Sequence, residues 1–336
     1  MPKVAINGLG RIGRAALKIL QDVESVEVAA VNDLIEADNL AYLLAHDSVY
    51  GRYGKPVNVT GDGKLSIDGR PLPVYAERDP ARLPWRDLGV DLVLECTGVF
   101  RREEELRRHL DAGARFVILS APARTETVAT VVHRVNRAPQ DRQVISCASC
   151  TTNCITPVVE VLHRRIGIER AIMSTVHAYT ANQRLVDGPS KDVRRGRAAG
   201  VNMVPATTGA ALATTRALPE LAGRFDGVAI RVPVPVGSIA DVTLVTTRAT
   251  SAEEVNEVFR EEAASDRYRG VLGVTEEPLV STDIIGDPRA SVIDTGLTRV
   301  VDGTLVKVMS WYDNEWGFTH QMVREALSVL GVSHAL

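Results

Sequence analysis

Ser149-Cys150-Thr151-Thr152-Asn153-Cys154 sets a thiol among four hydrogen-bonding side chains. A strand-like run, Gln143-Val144-Ile145-Ser146, leads into it, and an apolar-periodic stretch, Ile155 to Leu162, leads out. The pattern predicts a strand, a tight turn and a helix with Cys150 at its N-terminus. Unpaired N–H groups and the positive end of the helix dipole favour an anion there. The thiol pKa is therefore expected to fall, making Cys150 a thiolate nucleophile. A nucleophile needs a base, and His177 in Thr175-Val176-His177-Ala178-Tyr179-Thr180 is the candidate. Cys147, Cys150 and Cys154, with Cys96, invite a comparison with zinc ligands. No metal site is expected, because Cys147 precedes the turn and Cys154 sits on the helix, so their sulfurs should diverge.

A second chemistry-bearing stretch opens the chain. Val4-Ala5-Ile6 predicts a short strand, Gly8-Leu9-Gly10-Arg11-Ile12-Gly13 follows at once, and Arg14 to Leu20 has helical periodicity. A further strand, Val28 to Val31, ends at Asn32-Asp33. In this context Gly8 serves a tight turn, Gly10 a close approach of pyrophosphate, and Gly13 the packing of helix on strand. The helix N-terminus at Arg11 and Ile12 would hold phosphate. Asp33, about 20 residues beyond Gly13, would accept hydrogen bonds from a ribose. Asn7, Asp33, Thr97 and Ser120 all fall at strand C-terminal ends, where a doubly wound sheet binds its ligand.

The elements that position these residues divide into two patterns. Up to residue 120, strands alternate with helices (103–112 among them) and turns fall at Gly61-Asp62-Gly63 and Asp68-Gly69, which implies a parallel sheet. Beyond Cys154, strand-like segments at 169–178, 225–233, 239–248, 289–294 and 304–312 imply a larger, mostly antiparallel sheet, with helices near 209–217 and 252–264. A long Arg-rich polar stretch between Ala178 and Val204 has the character of a functional or interfacial loop. A final helix is expected over 314–330. The 336 residues suffice for two cores. A net charge of −3 argues against nucleic-acid binding as the main role. No apolar run approaches membrane-spanning length, and no leader pattern precedes the first strand. Four cysteines without a disulfide framework point to a cytoplasmic setting.

Six stretches in chain order resemble phosphorylating glyceraldehyde-3-phosphate dehydrogenases. They are Ile6 to Arg14, Ala148 to Cys154, Thr175 to Thr180, Thr207-Thr208-Gly209-Ala210-Ala211, Arg231-Val232-Pro233 and Trp311 to Gly317. The resemblance implies an α/β protein: a Rossmann-type NAD domain over 1–149, completed by a C-terminal helix over 315–336, and an α+β catalytic domain over 150–314. It implies NAD as cofactor and a homotetramer. Glyceraldehyde 3-phosphate would be oxidised through a Cys150 thioester, which inorganic phosphate attacks to give 1,3-bisphosphoglycerate. By the same resemblance Thr180 and Arg231 match the substrate-phosphate site, and Ser149, Thr151, Thr208 and Gly209 the inorganic-phosphate site, with Arg195 between. Asn314 matches the holder of the nicotinamide carboxamide, and Arg78 lies beside the adenine.

The chain departs from the family pattern at Cys147 in place of Asn, at Ala181-Asn182, at Gly188 and at Gly196. These put fine specificity and inhibitor response in question. Cys147 is expected either to be a packed apolar residue or to alter access to Cys150, as in an isoform tolerant of thiol-directed inhibitors. A hydrolytic erythrose-4-phosphate dehydrogenase is the alternative, although Thr180, Thr208 and Gly209 are all retained. A binding role for RNA or a partner protein would be an addition to the Cys–His chemistry.

Overall fold

A computed structural model describes residues 1–61 and 63–332. Asp62 of the expected Gly61–Gly63 turn and residues 333–336 of the expected terminal helix lie outside the described residues. The chain forms two compact units, one of residues 1–131, 138–148 and 322–336, the other of residues 132–137 and 149–321. The short segment 132–137, which the sequence pattern did not separate, belongs to the second unit. Val135 packs against that unit's core, and the Arg267 guanidinium donates to the Arg134 and Val135 carbonyls. The last helix is Trp316–Val329, and its residues divide between the units at Met322.

The first unit is built on a seven-stranded sheet in the order Ala129–Thr130, Val144–Ser146, Phe116–Leu119, Leu92–Glu95, Lys3–Asn7, Glu27–Asn32 and Val74–Tyr75. All its pairings are parallel. Val4, Ala5 and Ile6 are fully buried, as both faces of a parallel sheet are covered and its strands become continuous apolar runs. The strand order reverses between Lys3–Asn7 and Leu92–Glu95, which places a ligand crevice beyond their C-terminal ends. Helix Arg11–Leu20 returns across the sheet with Ala15 to Leu20 buried. The expected helix over 103–112 is two single turns, Glu103–Leu106 and Arg108–Asp111. The break falls just before His109, whose ring is drawn inside by contacts to Glu95 and Trp85. Asp68 and Gly69, with φ of 53° and 78°, make the tight turn between Leu65–Ile67 and Arg70–Leu72.

The second unit holds an eight-stranded mixed sheet. Its pairs are antiparallel except two: Ile168–Ala178 with Phe225–Val232, and Leu272–Thr275 with Ser291–Asp294. Helix Cys150–Arg165 is buried continuously from Thr151 to Leu162. Its apolar side chains meet Val242, Leu244, Phe259 and Tyr268 in one core. Burial of each large apolar side chain contributes about 1.5–3 kcal/mol. The far half of the helix is tied by Glu160, which accepts from Tyr268 Oη at 2.6 Å and from Arg164 Nε at 2.8 Å. Among the described residues no helix is long and apolar enough to cross a membrane.

The glycines of the first turn differ in what they permit. A Cβ on Gly13 would stand 1.9 Å from the Gly8 carbonyl oxygen, whereas a Cβ on Gly10 would meet nothing within 4 Å. Gly13→Ala is expected to cost about 2–4 kcal/mol in urea unfolding, the scale of overpacking a closed contact. Gly10→Ala should stay within about 1 kcal/mol, the scale of an N-cap change. Equal losses at both positions would refute this division of roles.

Candidate active site

Cys150 stands at the first position of its helix, with Ser149 as N-cap. The Ser149 hydroxyl accepts from the Thr152 N–H at 3.2 Å, which satisfies one of the orphan donors at the helix start. Ala148, immediately before, holds a left-handed φ of 57° and turns the chain from strand into helix. The thiol Sγ lies 3.3 Å from His177 Nε2. His177 comes from strand Ile168–Ala178, where the parallel register sets it directly opposite Arg231. An Arg231 guanidinium nitrogen lies 2.5 Å from His177 Nδ1 and donates to the Ala178 carbonyl at 2.9 Å. The Ala178 oxygen also lies 2.7 Å from Nδ1. Nδ1 therefore faces both an acceptor and a donor. With its proton on Nδ1 the ring offers Nε2 as a base towards the thiol, and with its proton on Nε2 it offers a donor.

The expected fall in the thiol pKa does not appear in the isolated groups. Burial pushes Cys150 up, against the pull of the Arg231 cation and of the Thr151 amide and hydroxyl. Burial pushes His177 down to about 3, and Arg231 and Arg195 add to that shift. Helix-terminal placement alone thus does not outweigh desolvation. At 3.3 Å, a proton passing from sulfur to Nε2 would leave opposite charges that compensate each other.

The phosphate-site candidates gather around this pair in the second unit. Thr180 Oγ1 and Arg231 Nε are buried without a hydrogen-bond partner, and buried polar atoms in that condition require one. An anionic oxygen at either atom would satisfy it. Arg195 Nη2 donates to the Thr207 carbonyl at 3.3 Å, while its charge acts on His177 and Arg231. It thus links the Thr180–Arg231 side to the Thr207-Thr208-Gly209 turn. The Thr208 hydroxyl accepts from the Ala210 N–H at 3.1 Å, and Gly209, without a side chain of its own, is the N-cap of helix Ala210–Ala217. Ser149 is occupied with Thr152, whose hydroxyl lies 2.8 Å away.

Two residues given no role by the sequence pattern brace the pair. Tyr312 Oη lies 3.0 Å from Thr151 Oγ1 and 2.8 Å from Thr175 Oγ1, and its ring meets His177 edge-on at 5.9 Å. One buried hydroxyl thereby joins the nucleophile helix to the strand of the base. Ser238 Oγ accepts from the Ala178 N–H at 3.1 Å and donates to Asn314 Oδ1 at 3.0 Å. The Gly237 N–H donates to the same oxygen at 3.1 Å, so the Asn314 amide is held one way round. Tyr312 lies in the Trp311–Gly317 motif, which was the available signal; the long-range partners were not readable from it.

In the first unit Gly8 takes φ 92°. Helix Arg11–Leu20 begins with Gly10 as N-cap and no side-chain cap hydrogen bond, and a Cβ at Gly10 would meet nothing within 4 Å. This is a cradle that fits a pyrophosphate. The Arg11 side chain is engaged by Asp47 at 2.5 Å. Asp33 accepts from the Leu9 N–H at 2.6 Å and the Ile35 N–H at 3.1 Å; it braces the glycine loop and keeps lone pairs for ribose hydroxyls. Arg78 is exposed just past strand Val74–Tyr75, and Ser120 follows Phe116–Leu119. The Thr97 amide and hydroxyl both donate to Glu95. Cys147 is only 3% exposed, and burial raises its thiol well above the ordinary range. Packing therefore accounts for it better than reactivity. Among the described residues no group of His, Cys, Asp and Glu could hold a metal ion.

Residues 2–103 match the family model of the glyceraldehyde 3-phosphate dehydrogenase NAD binding domain, and residues 149–314 that of the C-terminal domain. The chain is 50% identical over 326 residues to glyceraldehyde-3-phosphate dehydrogenase 2 of Streptomyces arenae, covering 96% of each. It is 48% identical to the glyceraldehyde-3-phosphate dehydrogenase of Zymomonas mobilis, over 96% of this chain and 97% of that one. The enzyme of the same name from Geobacillus stearothermophilus is 48% identical, over 96% of each chain.

Arg231 is the cation that favours the thiolate, so its loss has a definite sign. Arg231→Gln should move the pH midpoint of Cys150 alkylation by iodoacetamide upward by about one unit, the usual effect of one close opposite charge. Alkylation at neutral pH should slow accordingly. An unchanged midpoint would show that the guanidinium does not act on the sulfur.

Proposed function

The chain belongs to the glyceraldehyde 3-phosphate dehydrogenase family, and from that premise we propose that it oxidises glyceraldehyde 3-phosphate with NAD and inorganic phosphate to 1,3-bisphosphoglycerate. The observation that carries this reading is the Cys150–His177 contact at 3.3 Å beside the unpartnered Arg231 Nε and Thr180 Oγ1. A nucleophile, a base and an anion-seeking pair suit an aldehyde that bears a phosphate. The uncapped helix start at Gly10 to Ile12 and the Asp33 carboxylate suit NAD, and Asn314 is the proposed holder of its carboxamide. NAD, when bound, accepts the hydride.

The residues of the chain do the remainder. The Cys150 proton passes to His177 Nε2, and the thiolate adds to the aldehyde carbon. The oxyanion takes the proton back from His177, giving a hemithioacetal. His177 removes that hydroxyl proton as the hydride departs, leaving a thioester. A general base in this position contributes roughly 100- to 10,000-fold. Phosphate, held by Arg195 and the Thr208-Gly209 amides and hydroxyl, attacks the thioester carbon. The C–S bond breaks, the thiolate returns and an acyl phosphate leaves. Thr180 and Arg231 hold the substrate phosphate throughout. Guanidinium groups suit such anions because their donors form a planar fork.

A homotetramer in the cytoplasm is part of the same proposal. The free cysteines suit a reducing compartment. Leu185, Val186, Val193, Val201 and Met203 are largely exposed in the loop after His177's strand, and Ile172 and Val228 are half-exposed on the sheet. A lone subunit would leave this apolar surface in water.

NADH formation should require glyceraldehyde 3-phosphate and should fall at least about tenfold when inorganic phosphate is omitted, since thioester release then waits on water. Cys150→Ser should abolish turnover. Faster turnover with erythrose 4-phosphate, independent of phosphate, would favour the hydrolytic alternative and overturn the proposal. In light scattering, Met203→Glu should reduce the particle mass; a wild type that already runs as a monomer would remove the tetramer.

A further inference from the structure

The parallel sheet carries a buried polar chain that no step above uses. Glu95 and His109 are both fully buried. Glu95 Oε2 accepts from Asn7 Nδ2 at 2.6 Å and lies 3.1 Å from His109 Nε2. Glu95 Oε1 accepts from the Thr97 N–H at 2.8 Å and from the Thr97 hydroxyl.

The protons on this chain follow from donor chemistry. Trp85 Nε1 can only donate, and it lies 3.0 Å from His109 Nδ1. Nδ1 is therefore the acceptor, and the ring hydrogen is on Nε2, facing Glu95. Asn7 has no freedom to flip, because its Oδ1 accepts from Asn32 Nδ2 at 2.7 Å. Asn32 is fixed in turn by the Glu77 backbone, whose N–H donates to Asn32 Oδ1 and whose carbonyl accepts from Nδ2, both at 2.9 Å. Every group facing Glu95 thus donates to it. Glu95 is a carboxylate held by four uncharged donors.

Burying a charge costs stability unless hydrogen bonds offset it, and the four donors supply that offset here. The place of Glu95 is the strand-order reversal between Lys3–Asn7 and Leu92–Glu95, where a doubly wound sheet binds its dinucleotide. A Cβ built on Gly8 would lie 2.7 Å from the Thr97 nitrogen and 2.8 Å from its Cα. The glycine loop therefore rests directly on the Thr97 backbone, and Glu95 holds that backbone by its amide hydrogen. The Thr97 hydroxyl hydrogen is also spent on Glu95, while its oxygen accepts from the Val99 N–H at 3.1 Å. The Thr97 amide and hydroxyl hydrogens are thus both committed to Glu95.

We propose that Glu95 is a positioning residue for the dinucleotide: oriented by Asn7 and the Trp85–His109 pair, it pins Thr97 against Gly8 and so sets the glycine loop beneath the pyrophosphate. This rests on the reading of that loop as the NAD site. In Glu95→Gln, two of the four donors would face an NH2 group. Kd and KM for NAD should rise about tenfold or more, the scale of lost hydrogen bonds to a charged group. The kcat at saturating NAD should stay within about twofold, and iodoacetamide should alkylate Cys150 at the wild-type rate without NAD, because the Cys–His pair is untouched. Thr97→Val, which removes one hydroxyl, should raise KM for NAD by roughly threefold or more, and Thr97→Ser should restore it. Calorimetric titration with NAD and steady-state kinetics read these outcomes, with urea unfolding alongside. A lower unfolding midpoint without the split between KM and kcat, or an unchanged KM in Glu95→Gln, would overturn the proposal. Should Glu95→Gln fail to fold, the Thr97 pair decides it: equal KM in Val and Ser variants would overturn it. A wild type that binds no NAD would instead overturn the cofactor reading itself.

Discussion

The parallel register between Ile168–Ala178 and Phe225–Val232 is the constraint on which the catalytic centre depends. It sets His177 across from Arg231. A slip of one residue would carry the guanidinium to the other face of the sheet. The base would then lose the neighbour at Nδ1, and the thiol would lose its cation. Arg231 acts on the two groups in different senses. It helps Cys150 to give up a proton and hinders His177 from keeping one. A base under that influence holds a proton weakly and passes it on readily.

The remaining architecture serves to hold that pair still. Helix Cys150–Arg165 is buried along most of its length and anchored at its far end by Glu160. Tyr312 spans from the helix to the strand of the base. Ser238 couples the backbone beside His177 to the Asn314 amide. Each brace is a single hydroxyl or carboxylate in a dry setting, where a lost partner leaves the other group unsatisfied.

What could be read from the sequence was local. The glycine turn, the helix after it and the acid at the next strand end lie within one short span, and Gly8 and Gly13 answer to steric demands of their neighbours. Cys150 at a helix start was equally legible, since a cap, a polar turn and an apolar period are adjacent in the chain. The alternation of strands and helices announced the parallel sheet. The contacts that failed to show were long-range. Tyr312 meets Thr151 across 161 residues, and Glu95 meets Asn7 across 88. The two parallel pairs in the second sheet, and with them the Arg231 position, depend on crossover connections that alternation cannot specify. The direction of the thiol shift was misjudged for a related reason: the helix terminus is visible in sequence, whereas desolvation belongs to the whole fold.

The same register has a consequence for the order in which reactivity arises as the chain folds. His177 and Arg231 stand 54 residues apart, and Cys150 and His177 stand 27 apart. Closing such loops costs entropy before the contacts repay it, so pairings of this kind form late relative to local turns and helices. The thiol therefore meets its base and its cation only when the central strands of the sheet have zipped together. Until then Cys150 is an ordinary thiol on a nascent helix. The proposed nucleophile thus meets its base last, and an incompletely folded chain lacks the assembled Cys150–His177 pair.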